Sequence, residues 1–210
     1  MAANVPMMLI SIEGNIGVGK STVLSRVRDA YAGDPRVVVV DEPAELWERH
    51  GLLQAVYDKR LSATVFQQVA IASRVGAIGR ATRDGGVRVV ISERSPFSDK
   101  HVFAKSNVRG IDETAYELSF DDVVSLLPPF SKRRFIVLRA NVDTIVSRIA
   151  GRSREAERGI ERSYLQVIDD AHVEFAELFA DETVLVDAED DKGCVVEGVL
   201  AEVRAVLEGA

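Results

Sequence analysis

Five short apolar runs punctuate the chain: MMLISIE (7–13), RVVVVDE (36–42), VRVVISE (87–93), RFIVLRA (134–140) and TVLVDA (183–188). Their apolar positions are continuous rather than alternating, and Val and Ile dominate. A strand with one wet face alternates, whereas strands covered on both faces do not, and such strands belong to parallel sheets. Between the runs, apolar residues recur every three or four positions over 20–31, 62–83, 112–127, 142–151, 161–180 and 193–208. That is the helical period. RDGG (83–86) supplies a glycine stop before the third run, and LLPPF (126–130) ends another helix. Strands alternating with helices predict an α/β doubly wound domain with a five-stranded parallel sheet flanked by helices. No repeat, linker or low-complexity tract interrupts the pattern, so one domain over 1–210 is expected.

Composition narrows the classes. The chain has 210 residues, 47% of them hydrophobic, enough to bury a core without staples. One cysteine, Cys194, excludes a disulfide framework and a cysteine metal cluster. The net charge of −7 gives no support to nucleic-acid binding, so an anionic ligand needs a local basic cluster. The apolar part of MAANVPMMLI is short for a signal peptide, and no run reaches the ~18 apolar residues of a membrane span. A soluble protein of the cytoplasm is expected, with no membrane or nucleic-acid partner.

The stretch SIEGNIGVGKST (11–22) carries the first chemistry. Gly14, Gly19, Lys20 and Ser21 satisfy G-x-x-x-x-G-K-[ST], which a chain this long matches by chance below about one time in a hundred. An apolar run precedes the motif and a helical pattern follows. Glycines here admit positive φ and close approach of backbone N–H groups to phosphate oxygens, and the helix start adds partial positive charge. The whole loop, with Asn15, Gly17 and Thr22, is expected to cradle a nucleoside triphosphate. Lys20 would reach the outer phosphates and the Ser21 hydroxyl would bind Mg²⁺. GTPases need a base-reading N-K-x-D, which is absent. A small chain with this motif near its start favours a small-molecule kinase.

Two more strand ends carry charge. Glu42, in DEPAELW (41–47), is placed to accept a proton from an attacking hydroxyl; the alternative is a surface Glu before a Pro. Glu93 and Arg94, in ISERSPFSDKHVFAK (91–105), end the next run. Arg94 is suited to pair with Glu42 and the transferring phosphate, and Glu93 to help hold Mg²⁺; the alternative is a strand-end ion pair. GRSREAERGIER (151–162) is arginine-rich and follows Arg148 by one turn. It suits a lid over phosphates at about 151–160, or else a solvated charge run.

Together these pieces resemble the deoxynucleoside kinase family, in its deoxycytidine, deoxyguanosine and deoxyadenosine kinase branch. The resemblance runs from about Leu9 to Asp191 and rests on IEGNIGVGKST, DEP…LW, FQ at 66–67, ERSPFSDKHVFAK and RSREAERGI…YL…H. It implies a P-loop kinase fold with a helical, arginine-rich lid, ATP or another triphosphate as donor, Mg²⁺, a deoxynucleoside acceptor and a homodimer. It also implies residue roles. Glu42 matches the base that activates the 5′-hydroxyl, and Arg94 its partner. Gln67 matches the glutamine that reads the base edge, Phe103 the aromatic stacked on the base, and Trp47 the pocket wall beside it. Tyr57 and Glu157 match the pair on the sugar 3′-hydroxyl. Arg148, Arg152 and Arg154 match arginines that neutralise the donor phosphates, and VDAEDD (186–191) the loop near the donor base.

Arg74 and Asp99 match a polar pair that thymidine-preferring relatives lack, which implies deoxycytidine or purine deoxynucleosides over thymidine. The alternative is a structural ion pair behind the pocket. The chain departs from the family pattern at Pro96, His101 and Ala156 and over 104–120. Two competing readings are a thymidylate-type monophosphate kinase and a non-catalytic kinase-like accessory protein. The Gln67, Arg74, Asp99 set argues against the first, and the intact loop and Glu42/Arg94 pair against the second. His50, His101 and His172 are too scattered for a metal site, and Met7, Met8, Phe175 and Phe179 are expected in the core.

Overall fold

All five apolar runs form strands of one sheet. In the computed structural model the described residues are 7–83, 85–151, 157, 159–189 and 191–208. Among them the strands are β1 (Met7–Gly14), β2 (Val37–Val40), β3 (Val89–Glu93), β4 (Phe130–Arg139) and β5 (Thr183–Asp187). Every pairing is parallel, in the order β2-β3-β1-β4-β5, so β1 is central.

Both faces of the sheet are covered, which explains the unbroken apolar runs. Successive side chains on a strand alternate between faces. Met8, Ile10 and Ile12 pack with α1 (Lys20–Tyr31), α8 (Val142–Ala150) and α10 (Lys192–Glu208). Leu9 lies on the other face, with Val40, Val90 and Ile78 of α4 (Ala63–Ala81). Phe135 and Val137 of β4 meet Ile168, Ala171 and Phe175 of α9 (Arg162–Leu178). Outside α4 lies α7 (Ile111–Val124), joined through Ile71, Val75, Tyr116 and Phe120.

The long helices fall within a few residues of the periodic segments, while five shorter helical pieces go beyond the pattern. Two helices, α2 (Ala44–Arg49) and α3 (Leu52–Tyr57), are separated by Gly51 at φ +70°. Each is under two turns, too short for a period to register. After β3 the chain runs through α5 (Pro96–Ser98), a π-helical stretch (Asp99–Ala104) and α6 (Lys105–Asn107). Ser95 starts this segment with a reciprocal cap. Its hydroxyl accepts from the Ser98 N–H at 3.1 Å, and the Ser98 hydroxyl accepts from the Ser95 N–H at 3.3 Å. Pro96 follows at the first helical position, where its missing N–H costs nothing. β4 starts at Phe130 rather than Arg134. Among the described residues, no helix is long and apolar enough to cross a membrane.

Candidate active site

The C-terminal ends of β1, β2 and β3 open onto a cavity of about 600 Å³, where open α/β sheets carry their ligands. On β1 the face that begins with Leu9 continues with Ser11 and Glu13, both fully buried. The sheet therefore turns polar as it approaches the cavity, and the Ser11 hydroxyl donates to Glu13 Oε1 at 2.8 Å.

The glycine-rich loop forms one wall. Gly14, Gly17 and Gly19 have φ of +130°, +81° and +118°, values that strain other residues. A Cβ on Gly14 would strike the Leu138 carbonyl, and one on Gly17 the Ile149 side chain, while Gly19 faces open space. Two of the glycines are thus demanded by the protein's own packing. Lys20 begins α1 with its Nζ donating to the Asn15 carbonyl at 2.8 Å. Burial pushes its ammonium down to about 7, with Arg94 adding to the effect. Asn15 turns its carboxamide away, donating from Nδ2 to the Leu165 carbonyl at 2.8 Å. The Ser21 hydroxyl donates to Glu93 Oε1 at 3.1 Å. Burial raises the Glu93 carboxyl above its ordinary value, with Lys20 pulling against it. Thr22 is exposed on the first turn of α1. Arg148 is anchored, donating to the carbonyls of Val18 at 3.0 Å and Ala188 at 2.7 Å.

The rest of the cavity is lined by the residues expected on the acceptor side. Glu42 follows β2 and is the hub. Its Oε1 lies 2.5 Å from Arg74 Nη2 and 3.2 Å from Arg94 Nε. Burial alone would raise the Glu42 carboxyl, but Arg94, Arg74 and Lys20 outweigh it and hold it below its ordinary value. Arg74 also gives Nη1 to Asp99 Oδ1 at 2.9 Å. Arg94 is a non-glycine residue at φ +62°, a conformation that costs about 1–3 kcal/mol and persists where the surroundings over-determine it. Here its N–H donates to the Ile12 carbonyl at 3.0 Å and its Nη1 to the Gly14 carbonyl at 2.8 Å. Its guanidinium also lies 4.4 Å from the centre of the Phe103 ring.

Trp47 is buried on α2, pinned by Nε1 donating to the Ser73 hydroxyl at 3.0 Å. Gln67 lines the cavity from α4, and its carboxamide makes no side-chain hydrogen bond among the described residues. Tyr57 and Glu157 line the same cavity. Burial raises the Tyr57 hydroxyl, and the charges of Tyr164 and Glu157 add to it. Arg152, Arg154 and Ala156, and most of the expected lid, lie outside the described residues. His172 packs behind Phe103 with ring centres 6.1 Å apart, its Nδ1 2.7 Å from the Ile168 carbonyl. Burial pushes it down to about 3, so it is neutral.

The sequence reading passed over Asn107 and Tyr164. The Asn107 Nδ2 donates to the Phe103 carbonyl at 2.8 Å and to the Tyr164 hydroxyl at 3.0 Å, and both residues line the cavity. Tyr164 stands in the YL of the family pattern, which was the available signal. Asn107 lies two residues past the ERSPFSDKHVFAK motif, in the stretch 104–120 where the chain departs from the family pattern.

This architecture has counterparts. A deoxyadenosine kinase structure from M. mycoides, with dCMP and dCDP bound, matches with a TM-score of 0.70 over 95% of this chain and 100% of that one, at 22% identity. Deoxycytidine kinase 2 of Gallus gallus is 31% identical, covering 87% of this chain and 78% of the relative. The mitochondrial deoxyguanosine kinase of Xenopus laevis is 28% identical, covering 78% and 71%. The deoxynucleoside kinase family model matches residues 10–208. With a glycine-rich loop of phosphate-binding pattern and a charged cavity at the C-terminal ends of the strands, and a family match across nearly its whole length, the chain belongs to the deoxynucleoside kinases, a family of phosphotransferases.

Proposed function

We propose that this chain transfers the γ-phosphate of ATP, or of another nucleoside triphosphate, to the 5′-hydroxyl of deoxycytidine or a purine deoxynucleoside in preference to thymidine. The observation that carries the reading is the linked set Arg94–Glu42–Arg74–Asp99, in which Arg94, Arg74 and Asp99 are buried and Glu42 is partly buried, lining one cavity with Lys20 and Ser21.

Phosphoryl transfer requires in-line positioning, neutralisation of charge and an acceptor for the hydroxyl proton. Glu42 is that acceptor. Held low by its cations, it does not deprotonate a free alcohol. It takes the proton late, as the 5′-oxygen bonds to phosphorus and becomes acidic. The bond from phosphorus to the bridging oxygen breaks, and the diphosphate leaves with the electron pair. Arg94 keeps Glu42 oriented and faces the 5′-oxygen. Gly14 to Thr22 hold the donor phosphates mainly through backbone N–H groups, with Asn15 bracing the loop from behind. Lys20 and Arg148 supply positive charge there, joined by Arg152 and Arg154 when the lid closes.

Ser21 and Glu93 are the residues that would hold Mg²⁺. Their oxygen donors suit a hard cation, and burial leaves Glu93 short of positive charge. Bound there with the phosphates, the ion would neutralise charge on the donor.

The base lies between Phe103 and the Trp47 side. The Gln67 carboxamide offers one donor face and one acceptor face to its edge. Arg74 and Asp99 fill the space a thymine methyl would need, and Asp99 accepts from an exocyclic amino group. Tyr57 and Glu157 take the 3′-hydroxyl. The names of the relatives, kinases of deoxycytidine, deoxyguanosine and deoxyadenosine, support this preference. One domain, a lid at about 151–160, a homodimer and a cytoplasmic location complete the proposal on family resemblance.

Three measurements test it. Glu42→Gln is expected to lower kcat by about 10²; near-normal turnover would remove Glu42 from its role. Arg74→Met with Asp99→Ala is expected to lower the ratio of kcat/KM for deoxycytidine over thymidine about tenfold. Because Arg74 also holds Glu42, overall turnover falls too, but that loss cancels in the ratio; an unchanged ratio would refute the selectivity argument. The third concerns Lys20, whose ammonium titrates at about 7 in the free protein. Phosphates favour its charged form, so ATP binding at pH 8 should take up close to one proton and weaken as pH rises above 7, by up to about tenfold per unit. Calorimetry in buffers of different ionisation heat measures this, and no proton uptake at pH 8 would contradict it.

A further inference from the structure

Tyr116 belongs to α7, none of whose residues lines the cavity. Its ring is 1% exposed and packed among Ile71, Val75, Ala104, Val108 and Phe120. In that apolar setting its hydroxyl has one hydrogen-bond partner among the described residues, donating to Asp99 Oδ2 at 2.9 Å. Asp99 is itself 1% exposed, and its other oxygen accepts from Arg74 at 2.9 Å. A continuous chain of bonds therefore runs from α7 through Asp99, Arg74, Glu42 and Arg94 to the Gly14 carbonyl.

Held by Arg74 alone, the Asp99 carboxylate would be free to turn about its own bond, and the guanidinium facing it would turn with it. A second bond at the far oxygen fixes the carboxylate plane. The guanidinium then has two fixed anions, Asp99 and Glu42, and so one orientation. We propose that Tyr116 is a positioning residue for base recognition: its hydroxyl locks Asp99 and, through it, Arg74 at the base end of the cavity. The inference rests on the reading of Arg74 and Asp99 as the base-reading pair. Burial and the Asp99 charge both raise the Tyr116 hydroxyl above its ordinary value, so it stays protonated and able to donate.

Tyr116→Phe removes one O–H and leaves the ring. The expected result is a KM for deoxycytidine raised about tenfold, a lower deoxycytidine-to-thymidine ratio of kcat/KM, and an unchanged KM for ATP. In an Asp99→Ala background the same substitution should add nothing, because a residue acting through Asp99 has no route left. Parental kinetics in Tyr116→Phe, additive losses in the double variant, or equal rises in both KM values with a lower Tm would each overturn the proposal. If Asp99→Ala itself leaves the ratio unchanged, the base-pocket reading fails first, separately from Tyr116. If that variant changes the ratio and Tyr116→Phe does not, only the role of Tyr116 falls.

Discussion

Glu42 is shared by two buried guanidinium groups, and the site depends on that sharing. Arg74 and Arg94 are each 3% exposed, and charges so far from water need close partners. Arg74 has Asp99 and Glu42; Arg94 has Glu42, the Gly14 carbonyl and the face of Phe103. Removing one member of such a set costs about 3–5 kcal/mol, because the remaining charge stays buried and uncompensated. The same sharing holds the Glu42 carboxyl below its ordinary value, in keeping with the proposed role in which the proton moves only as the new bond forms.

The sheet supplies the rigidity. β1 and β3 pair in register from Met8↔Val89 to Ile12↔Glu93, so the phosphate-type loop and the Glu93–Arg94 corner leave adjacent strands side by side. The strained backbone of Arg94 is held at that corner by Ile12 and by the Ser92 hydroxyl, which donates to the Arg94 carbonyl at 2.8 Å. Helix α4 lines the same cavity and presents Gln67 and Arg74, seven residues apart, on one face. An apolar layer behind it, including Tyr116, keeps that helix and the π-helical stretch in contact.

Much of this was legible in the sequence, for physical reasons. Strands covered on both faces leave unbroken Val and Ile runs, and helices of three turns or more leave a period. Most of the residues that the motifs single out, among those described, line one cavity, with Gly14, Asn15, Thr22 and Arg148 outside its lining. What stayed hidden was chiefly pairing at a distance. The family pattern pairs Arg74 with Asp99, but the bond from Arg74 to Glu42 joins residues 32 apart on different elements. The sequence points Asn15 and Arg148 toward phosphate, whereas the Asn15 side chain ties the loop to Leu165 and Arg148 bonds to the carbonyls of Val18, within the loop, and Ala188. The short helices α2 and α3 and the segment 96–107 depend on caps and tertiary packing, which hydrophobic periodicity does not report.

The most direct test is phosphorylation of deoxycytidine, deoxyadenosine, deoxyguanosine and thymidine, side by side, with ATP and Mg²⁺. Strong conversion of one or more of the first three to the 5′-monophosphate, with weak conversion of thymidine, is the expected result. Conversion of none of them by a protein that still binds ATP, or thymidine as the best acceptor, would contradict it.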